Sequence, residues 1–315
     1  MKIIANKIDI EVEDSGTTTA PDGRARPVVL LIMGLGMQLI VWPPAFVQAL
    51  LDAGYRVVRF DNRDIGRSQH FDQHGKPRLA WAALRYRLRL PVKSPYSLSD
   101  MAADALGVLD VLQIRLAHVV GISMGAMIAQ RLALAAPDRV LSLTSIMGTS
   151  SARGLPEARP EVLRVMLRRP ASSAATDVIN YYVRLLRAIA SPAYPSSEAE
   201  LREQILVAYE RSFHPVGTLR QALAVLADGR RADELNRITA PTLVLHGRDD
   251  PLVPLACGKD TARRIPGARL VSFEGVGHDL PPGVVALLLG ELIPFLAASG
   301  PSASTPASLP EHSTP

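Results

Sequence analysis

Residues 117 to 136 read AHVVGISMGAMIAQRLALAA, and the order of features inside this stretch decides the fold. Val119 and Val120 close a short apolar run typical of a fully buried strand. Met124 through Ala136 is a helical run of small and apolar residues, stopped by Pro137. Between them lies Gly121-Ile122-Ser123-Met124-Gly125, a G-x-S-x-G pentapeptide. A chain passing from strand to helix this abruptly forces its central residue into strained backbone angles and leaves no room for side chains two positions to either side. Glycine at both flanks relieves the clash and leaves Ser123 pointing out from the carboxyl edge of a sheet. The bare pattern is a weak signal, because with Gly and Ser each near 7% of residues it arises by chance about once in ten chains of this size. The strand before it and the helix after it give it weight as a nucleophile elbow.

Upstream, Ile8, Ile10 and Val12 alternate with Asp9, Glu11 and Glu13, the period of a half-buried strand in an opening antiparallel pair, with a turn at Asp14-Ser15-Gly16. A loop follows around Pro21-Asp22-Gly23. Val28-Val29-Leu30-Leu31-Ile32 is apolar without alternation, which suits a strand covered on both faces in a parallel sheet flanked by helices. It ends in Met33-Gly34-Leu35-Gly36. As the start of a G-x-G-x-x-G dinucleotide loop this fits poorly, because the sixth position is Leu39 and Trp42-Pro43-Pro44 breaks any immediate helix. The better reading is a small-residue loop that exposes a backbone N–H, that of Leu35, beside the serine. Trp42 to Ala53 is an expected helix with Phe46, Val47, Leu50 and Leu51 inward, closed by Gly54. Arg56 to Phe60 is a further buried strand delivering DNRDIGRS (61 to 68), where a carboxylate among arginines fits a hydrogen-bonded loop lock better than a catalytic acid. Residues 69 to 96 are expected to be an irregular insertion, and Ser97 and Asp100 to cap a helix leading back to the elbow.

Downstream, Val140 to Ile146 is a sixth strand whose end carries no carboxylate. From 152 to 235 no buried strand is expected. Val178, Tyr182, Leu185, Leu186 and Ile189 share one helical face, and Ser197-Glu198-Ala199-Glu200 is a capping box. Such an insertion is expected to be a helical lid over Ser123. Thr242 to Gly247 resumes the sheet and is followed by Asp249 and Asp250, either of which could orient a histidine; Arg269 to Phe273 is followed by His278 on a glycine-flanked loop. Serine, acid and histidine at successive strand ends form the Ser…Asp…His order, and the conjunction is far more specific than any one of them. A last helix spans Gly283 to Leu296, and the Ser/Pro/Ala-rich 299 to 315 is expected to be a disordered tail. The division is thus 1 to 151 and 236 to 298 for the core, with 152 to 235 as the helical cap.

Composition removes several alternatives. The net charge of +5 invites a nucleic-acid reading, yet lysine occurs only at positions 2, 7, 76, 93 and 259, and the arginines are scattered. The densest group, Arg78, Arg85, Arg87 and Arg89 beside Trp81 and Tyr86, reads first as a solvated face with arginine stems packed on aromatics, and second as an attractor of anionic substrates or surfaces. No nucleic-acid partner is expected. No run is long and apolar enough to span a bilayer, and the opening MKIIANKIDIEVEDSG lacks the continuous apolar core of a signal peptide, so a cytoplasmic location is expected. Cys257 is the single cysteine, which rules out an internal disulfide.

The motifs MGLG (33 to 36), DNRDIGRS (61 to 68), GISMG (121 to 125), HGRDDPLVP (246 to 254) and GVGH (275 to 278) resemble those of the α/β-hydrolase family over nearly the whole chain, and within it those of aclacinomycin methylesterase-like lidded bacterial esterases. The resemblance implies an α/β fold with a mostly parallel eight-stranded sheet flanked by helices and a helical lid inserted after strand 6. It implies a serine hydrolase acting on a small-molecule ester, with no metal or organic cofactor. The family's G-x-x-D-x-x-x-P pattern falls on Asp250 and makes Asp249 its neighbour. Ser123, Asp250 and His278 are then the catalytic residues, with the N–H groups of Leu35 and Met124 as the oxyanion hole. Met33 departs from the histidine most members carry before the oxyanion glycine, which puts the hydrogen bonding behind that loop in question. Lactonase, carbon–carbon bond hydrolase and cofactor-free perhydrolase or haloperoxidase chemistry share the same triad, and a non-catalytic ligand receptor is the reading from outside enzymology. A nucleophilic aspartate is disfavoured because Ser123 holds that position.

Overall fold

The computed structural model describes residues 1–16, 26–88, 90–168 and 170–300. The expected loop at Pro21-Asp22-Gly23 and nearly all of the expected tail lie outside them. The chain opens with β1 (Lys2–Ala5) and β2 (Ile8–Asp14), paired antiparallel with Ala5 opposite Ile8. Their turn is Asn6-Lys7, with φ of 48° and 67°, whose left-handed pair matches the twist of a tight hairpin. The turn expected at Asp14-Ser15-Gly16 therefore follows the hairpin and does not close it; lysine in a left-handed position hides the true one. β3 (Val28–Ile32) is buried throughout. α1 (Pro44–Asp52) starts later than Trp42, because Leu39–Val41 forms a 3-10 turn and Pro44 takes the first helical position, where its missing N–H costs nothing.

After β4 (Arg56–Phe60) comes a correction: the stretch expected to be irregular holds α2 (Leu79–Arg87). Its residues are good helix formers, but only Ala82 is buried, so no apolar stripe facing a core announces the helix. α3 (Leu98–Val111) has the expected capping box of Ser97 and Asp100. Then follow β5 (Ala117–Ile122), α4 (Met124–Ala135) and β6 (Val140–Ile146). Between β6 and the next strand the described residues hold α5 (Pro160–Met166), α6 (Ala175–Ile189), α7 (Glu198–Arg211) and α8 (Pro215–Ala227), and no strand. β7 (Thr242–Gly247), α9 (Leu255–Arg264), β8 (Arg269–Phe273) and α10 (Pro282–Ala298) complete the chain. Among the described residues no helix is long and apolar enough to cross a membrane.

The eight strands form one sheet in the order β1-β2-β4-β3-β5-β6-β7-β8, parallel from β4 onward. Alternation along β3 splits the core: Leu30 and Ile32 pack with Leu98 and Ile128 of α3 and α4, whereas Val29 and Leu31 pack with Phe46 and Leu292 of α1 and α10. Strand order reverses at β3, which has β4 on one side and β5 on the other. The crevice past the carboxyl ends of β3 and β5 is thus the topological switch point, where open α/β sheets place their ligands.

The 61 to 68 turn is a lock, as read, but its main partners come from the helical segment. Arg211 Nη1 donates to Asp61 Oδ2 at 2.7 Å, and Arg220 donates to both oxygens of Asp64 at 2.8 and 2.7 Å. Arg63 pairs instead with Asp104 of α3. Asp64 and Arg220 are both fully buried. Burial raises the Asp64 carboxyl, but the hydrogen bonds from Arg220, the Phe71 N–H and the Tyr96 hydroxyl outweigh it and hold the group below its ordinary value. The contribution of this pair is therefore present above the unfolded-state carboxyl pKa and lost as pH falls through the lower folded value. Asp64→Ala strands a buried guanidinium, and urea unfolding at neutral pH is expected to show a loss of about 3 to 5 kcal/mol. The gap from the unaltered protein should narrow in acid; an equal gap at all pH values would contradict the linkage.

Candidate active site

The elbow is built as its residue types require. Ser123 has φ 56° and ψ −119°, a left-handed setting that costs a residue with a side chain of order 1–3 kcal/mol. The strain is held by close packing: a Cβ on Gly121 would lie 2.2 Å from the Gly125 carbonyl oxygen, and one on Gly125 would lie 2.1 Å from the Ile32 carbonyl oxygen. Both glycines are therefore obligatory. The Ser123 N–H is fastened to the Ile146 carbonyl at 2.8 Å, and the hydroxyl projects at the switch point.

Three side chains from different loops meet there. His278 Nε2 is 3.0 Å from Ser123 Oγ, and its Nδ1 is 2.6 Å from Asp250 Oδ2. A carboxylate only accepts, so Nδ1 carries the proton and Nε2 faces the hydroxyl with its lone pair. The other oxygen of Asp250 accepts the N–H groups of Leu252 and Val253 at 2.9 and 2.7 Å. Burial raises the Asp250 carboxyl, but the neighbouring His278 ring and these hydrogen bonds bring it below its ordinary value. Asp249 faces elsewhere: its Oδ2 accepts the Gly275 N–H at 2.8 Å and ties the acid loop to the histidine loop. Of the two acids the sequence left open, Asp250 is the one that reaches the ring.

The MGLG loop lies directly against the serine, with a Cβ on Gly34 falling 3.3 Å from Ser123 Cβ. Neither the Leu35 N–H nor the Met124 N–H has a hydrogen-bond partner among the described residues, and Met124 opens α4, so its N–H is at the positive end of a helix. The Met33 side chain is buried in the apolar layer, and the loop is held by other means: Asn62 Nδ2 donates to the Met33 carbonyl at 2.9 Å, and the Gly36 N–H donates to Gln221 Oε1 at 2.9 Å. Asn62 was visible within DNRDIGRS. Gln221 left no trace, being one polar residue on an amphipathic helix.

A second support unseen in the sequence lies behind His278. Its N–H donates to the Ile189 carbonyl at 2.7 Å, and the Gly277 N–H donates to Ser191 Oγ at 2.9 Å. The Ser191 hydroxyl and N–H both donate to the half-buried Asp279 carboxylate. The end of α6 thus grips the histidine loop. His246, read as structural, donates from Nε2 to the Val253 carbonyl at 2.7 Å and steadies the Asp250 loop; burial lowers its pKa. His118 lies within β5 against Ser142, and burial pushes it down to about 4.

His70, Asp72 and His214 bring one ligand atom each within 4.8 Å of one another. The two rings are stacked 3.8 Å apart and nearly parallel, at 6°, so their in-plane lone pairs lie side by side and do not converge on one ion. The guanidinium of Arg220 also holds Asp72 at 3.0 Å. This cluster is a tether between the 66 to 72 loop and the start of α8, and no metal site is assigned to it.

Residues 27–281 match the model of the alpha/beta hydrolase fold family. The chain is 34% identical over 275 residues to rhodomycin D methylesterase of Streptomyces peucetius, covering 81% of this chain and 86% of that protein. Among solved structures, the enol-lactonase of Burkholderia xenovorans LB400 is similar with a TM-score of 0.66 and 20% identity, covering 94% of this chain and 100% of that one. The meta-cleavage product hydrolase of Pseudomonas fluorescens IP01 is similar with a TM-score of 0.67 and 20% identity, covering 95% and 98%. These two likenesses are of fold.

The elbow packing carries its own test. Gly125→Ala places a methyl inside the radius of the Ile32 carbonyl, and a loss of at least about 3 kcal/mol is expected in thermal or urea unfolding, or no folded protein at all. A variant as stable as the parent would mean the elbow is looser than described.

Proposed function

The chain belongs to the alpha/beta hydrolase fold family, and from that premise we propose that it is a serine hydrolase cleaving carboxylic esters through an acyl-enzyme. The observation that carries this reading is the hydrogen-bonded line from Asp250 through His278 to Ser123, beside two N–H groups without partners among the described residues. An unassisted serine hydroxyl is a poor nucleophile at neutral pH. In the proposed first step His278 Nε2 takes the Ser123 proton as Oγ attacks the ester carbonyl. Asp250 holds the ring in the receiving tautomer and stabilises the imidazolium. The carbonyl oxygen gains the electron pair and is held by the Leu35 and Met124 N–H groups, each such donor being worth about 3 kcal/mol in the transition state. The C–O bond then breaks, the alcohol leaves with the proton from Nε2, and the acyl group stays on Ser123. A water gives its proton to Nε2 and attacks the acyl carbon; as the bond to Oγ breaks, Nε2 returns the proton to Ser123 Oγ and the acid is released.

The likeness to a methylesterase supports an ester, and a methyl ester in particular, as the bond cleaved. Helices α5 to α8, within residues 152 to 235, form the proposed cap over the site, with 1 to 151 and 236 to 298 as the core. The lone cysteine, buried and unpaired, fits the reducing cytoplasm. Lactone, carbon–carbon and peracid substrates would use the same three groups, and a panel of these beside methyl esters separates the readings by which turns over.

Ser123→Ala and His278→Ala are each expected to lower hydrolysis of a short p-nitrophenyl ester by about a thousandfold or more with the circular dichroism spectrum unchanged. Retained turnover in either would end the triad assignment. Asp250→Asn is expected to cost about a hundredfold or more, whereas Asp249→Asn, whose amide oxygen still accepts from Gly275, should stay within about threefold. The reverse order would transfer the role to Asp249. Ser191→Ala loosens the histidine loop without touching substrate, so kcat should fall about tenfold at constant KM. A change confined to KM would place Ser191 in substrate binding instead.

A further inference from the structure

Between Asp72 and Asp100 the sequence contains no acid and six bases: Lys76, Arg78, Arg85, Arg87, Arg89 and Lys93. α2 lies inside that stretch, and Ala82 is its one fully buried residue. Apolar side chains of α2 and just past its end face solvent: Trp81 is 57% exposed, Leu84 45%, the C-cap Leu88 60% and Leu90 46%. At about 100° per residue, Trp81, Leu84 and Leu88 fall within an arc of about 60°, one continuous stripe. Among the described residues the only guanidinium over an aromatic ring is that of Arg63, over Phe71 and Tyr96, so the arginine packing expected around Trp81 and Tyr86 is not formed as a ring contact. Nor is any of Lys76, Arg78, Arg87 and Lys93 paired with a carboxylate among those residues, while Arg85 donates to the Pro91 carbonyl.

We infer that α2 is a docking surface for an anionic lipid bilayer. Exposed leucines and a tryptophan along one stripe, flanked by unpaired bases, are what an interfacial helix needs. The apolar side chains enter the acyl boundary, the indole sits at headgroup level, and the guanidinium heads reach phosphate while their stems lie along the surface. The charge argues against a second copy as occupant, because pairing two such stretches would bring like charge against like charge across the contact. No helix has to span for this, and the contact is peripheral and reversible. α2 also packs on α8, whose Gln221 holds the Gly36 N–H, so the docked surface adjoins an element that supports the MGLG loop. The inference rests on the exposure and charge of α2 and is independent of what Ser123 does.

The chain reports its own binding, because its two tryptophans are Trp42, fully buried, and Trp81, exposed. With vesicles of equimolar phosphatidylcholine and phosphatidylglycerol, the full chain should co-sediment, its emission should shift to the blue, and brominated acyl chains should quench it. Pure phosphatidylcholine vesicles should bind weakly. Leu84→Glu with Leu88→Glu should reduce partition at least about tenfold, and Arg78→Gln with Arg87→Gln by roughly fivefold per charge removed. Both double variants should keep the parent's circular dichroism spectrum and its turnover of a soluble short ester, which separates lost docking from lost folding. The inference is overturned by absence of binding to anionic vesicles, or by binding that neither double variant weakens. It is equally overturned by a dimer in sedimentation velocity that Leu84→Glu with Leu88→Glu dissociates, since a second copy would then cover the stripe.

Discussion

The contact on which the elbow depends is that of Gly125 with the last carbonyl of β3, where a single methyl would lie 2.1 Å from the Ile32 oxygen. It presses the start of α4 against the sheet at the point where strand order reverses. That pressure makes the strained backbone of Ser123 tolerable: the serine cannot relax without moving α4 off β3 or breaking its own N–H bond to Ile146. The strain is compensated by the two apolar layers, which bury Val29, Leu30, Leu31 and Ile32 completely. Core packing and the presentation of one hydroxyl are therefore the same structural fact.

The remaining parts of the site are loops, which would wander if left alone. Most are fastened to something outside the sheet. The MGLG loop is held by Gln221 of α8, the histidine loop by Ile189 and Ser191 at the end of α6, and the 61 to 68 turn by Arg211 and Arg220. Only the Asp250 loop is held mainly by its own core elements, through the Leu252 and Val253 N–H groups and the ring of His246. Geometry of a few tenths of an ångström at the hydroxyl thus depends on helices that contribute none of the three central side chains.

This division explains what could be read from the chain. Local rules exposed the parts: alternation and apolar runs placed the strands, capping boxes placed α3 and α7, and glycine spacing placed the elbow. The order of serine, acid and histidine placed the line that His278 closes. Choosing Asp250 over Asp249 needed a family pattern, because two adjacent acids after one strand look alike until the loop's direction is known. What escaped was long-range and polar. Gln221 and Ser191 are ordinary residues whose partners lie 185 and 86 positions away, and nothing in their neighbourhoods marks them. α2 escaped for another reason: its N-cap is Arg78, with no capping side chain, and its short apolar stripe faces solvent instead of a core. The Asn6-Lys7 turn escaped because lysine is a poor predictor of a left-handed bend.

The joints of the helical segment bear on how it moves. Where the chain leaves the sheet after β6 and where it returns before β7, one residue spans both: Arg231, fully buried, donates to the Thr149 carbonyl and to Ser151 Oγ, each at 2.8 Å, and pairs with Asp228. Its Nε donates to Gln130 of α4, the elbow helix, at 2.8 Å. Burial pulls the guanidinium down to about 10, against the neighbouring Asp228 carboxylate that favours its charge, and Arg131 binds the same Asp228 from α4. A charge buried this deeply is costly to separate from its partners, because opening the joint would leave an unpaired ion inside the protein. Asp64 and Arg220 impose the same penalty further along, where α8 meets the 61 to 68 turn. A segment fastened through buried charge at its joints and at its contact with the core resists moving as a unit.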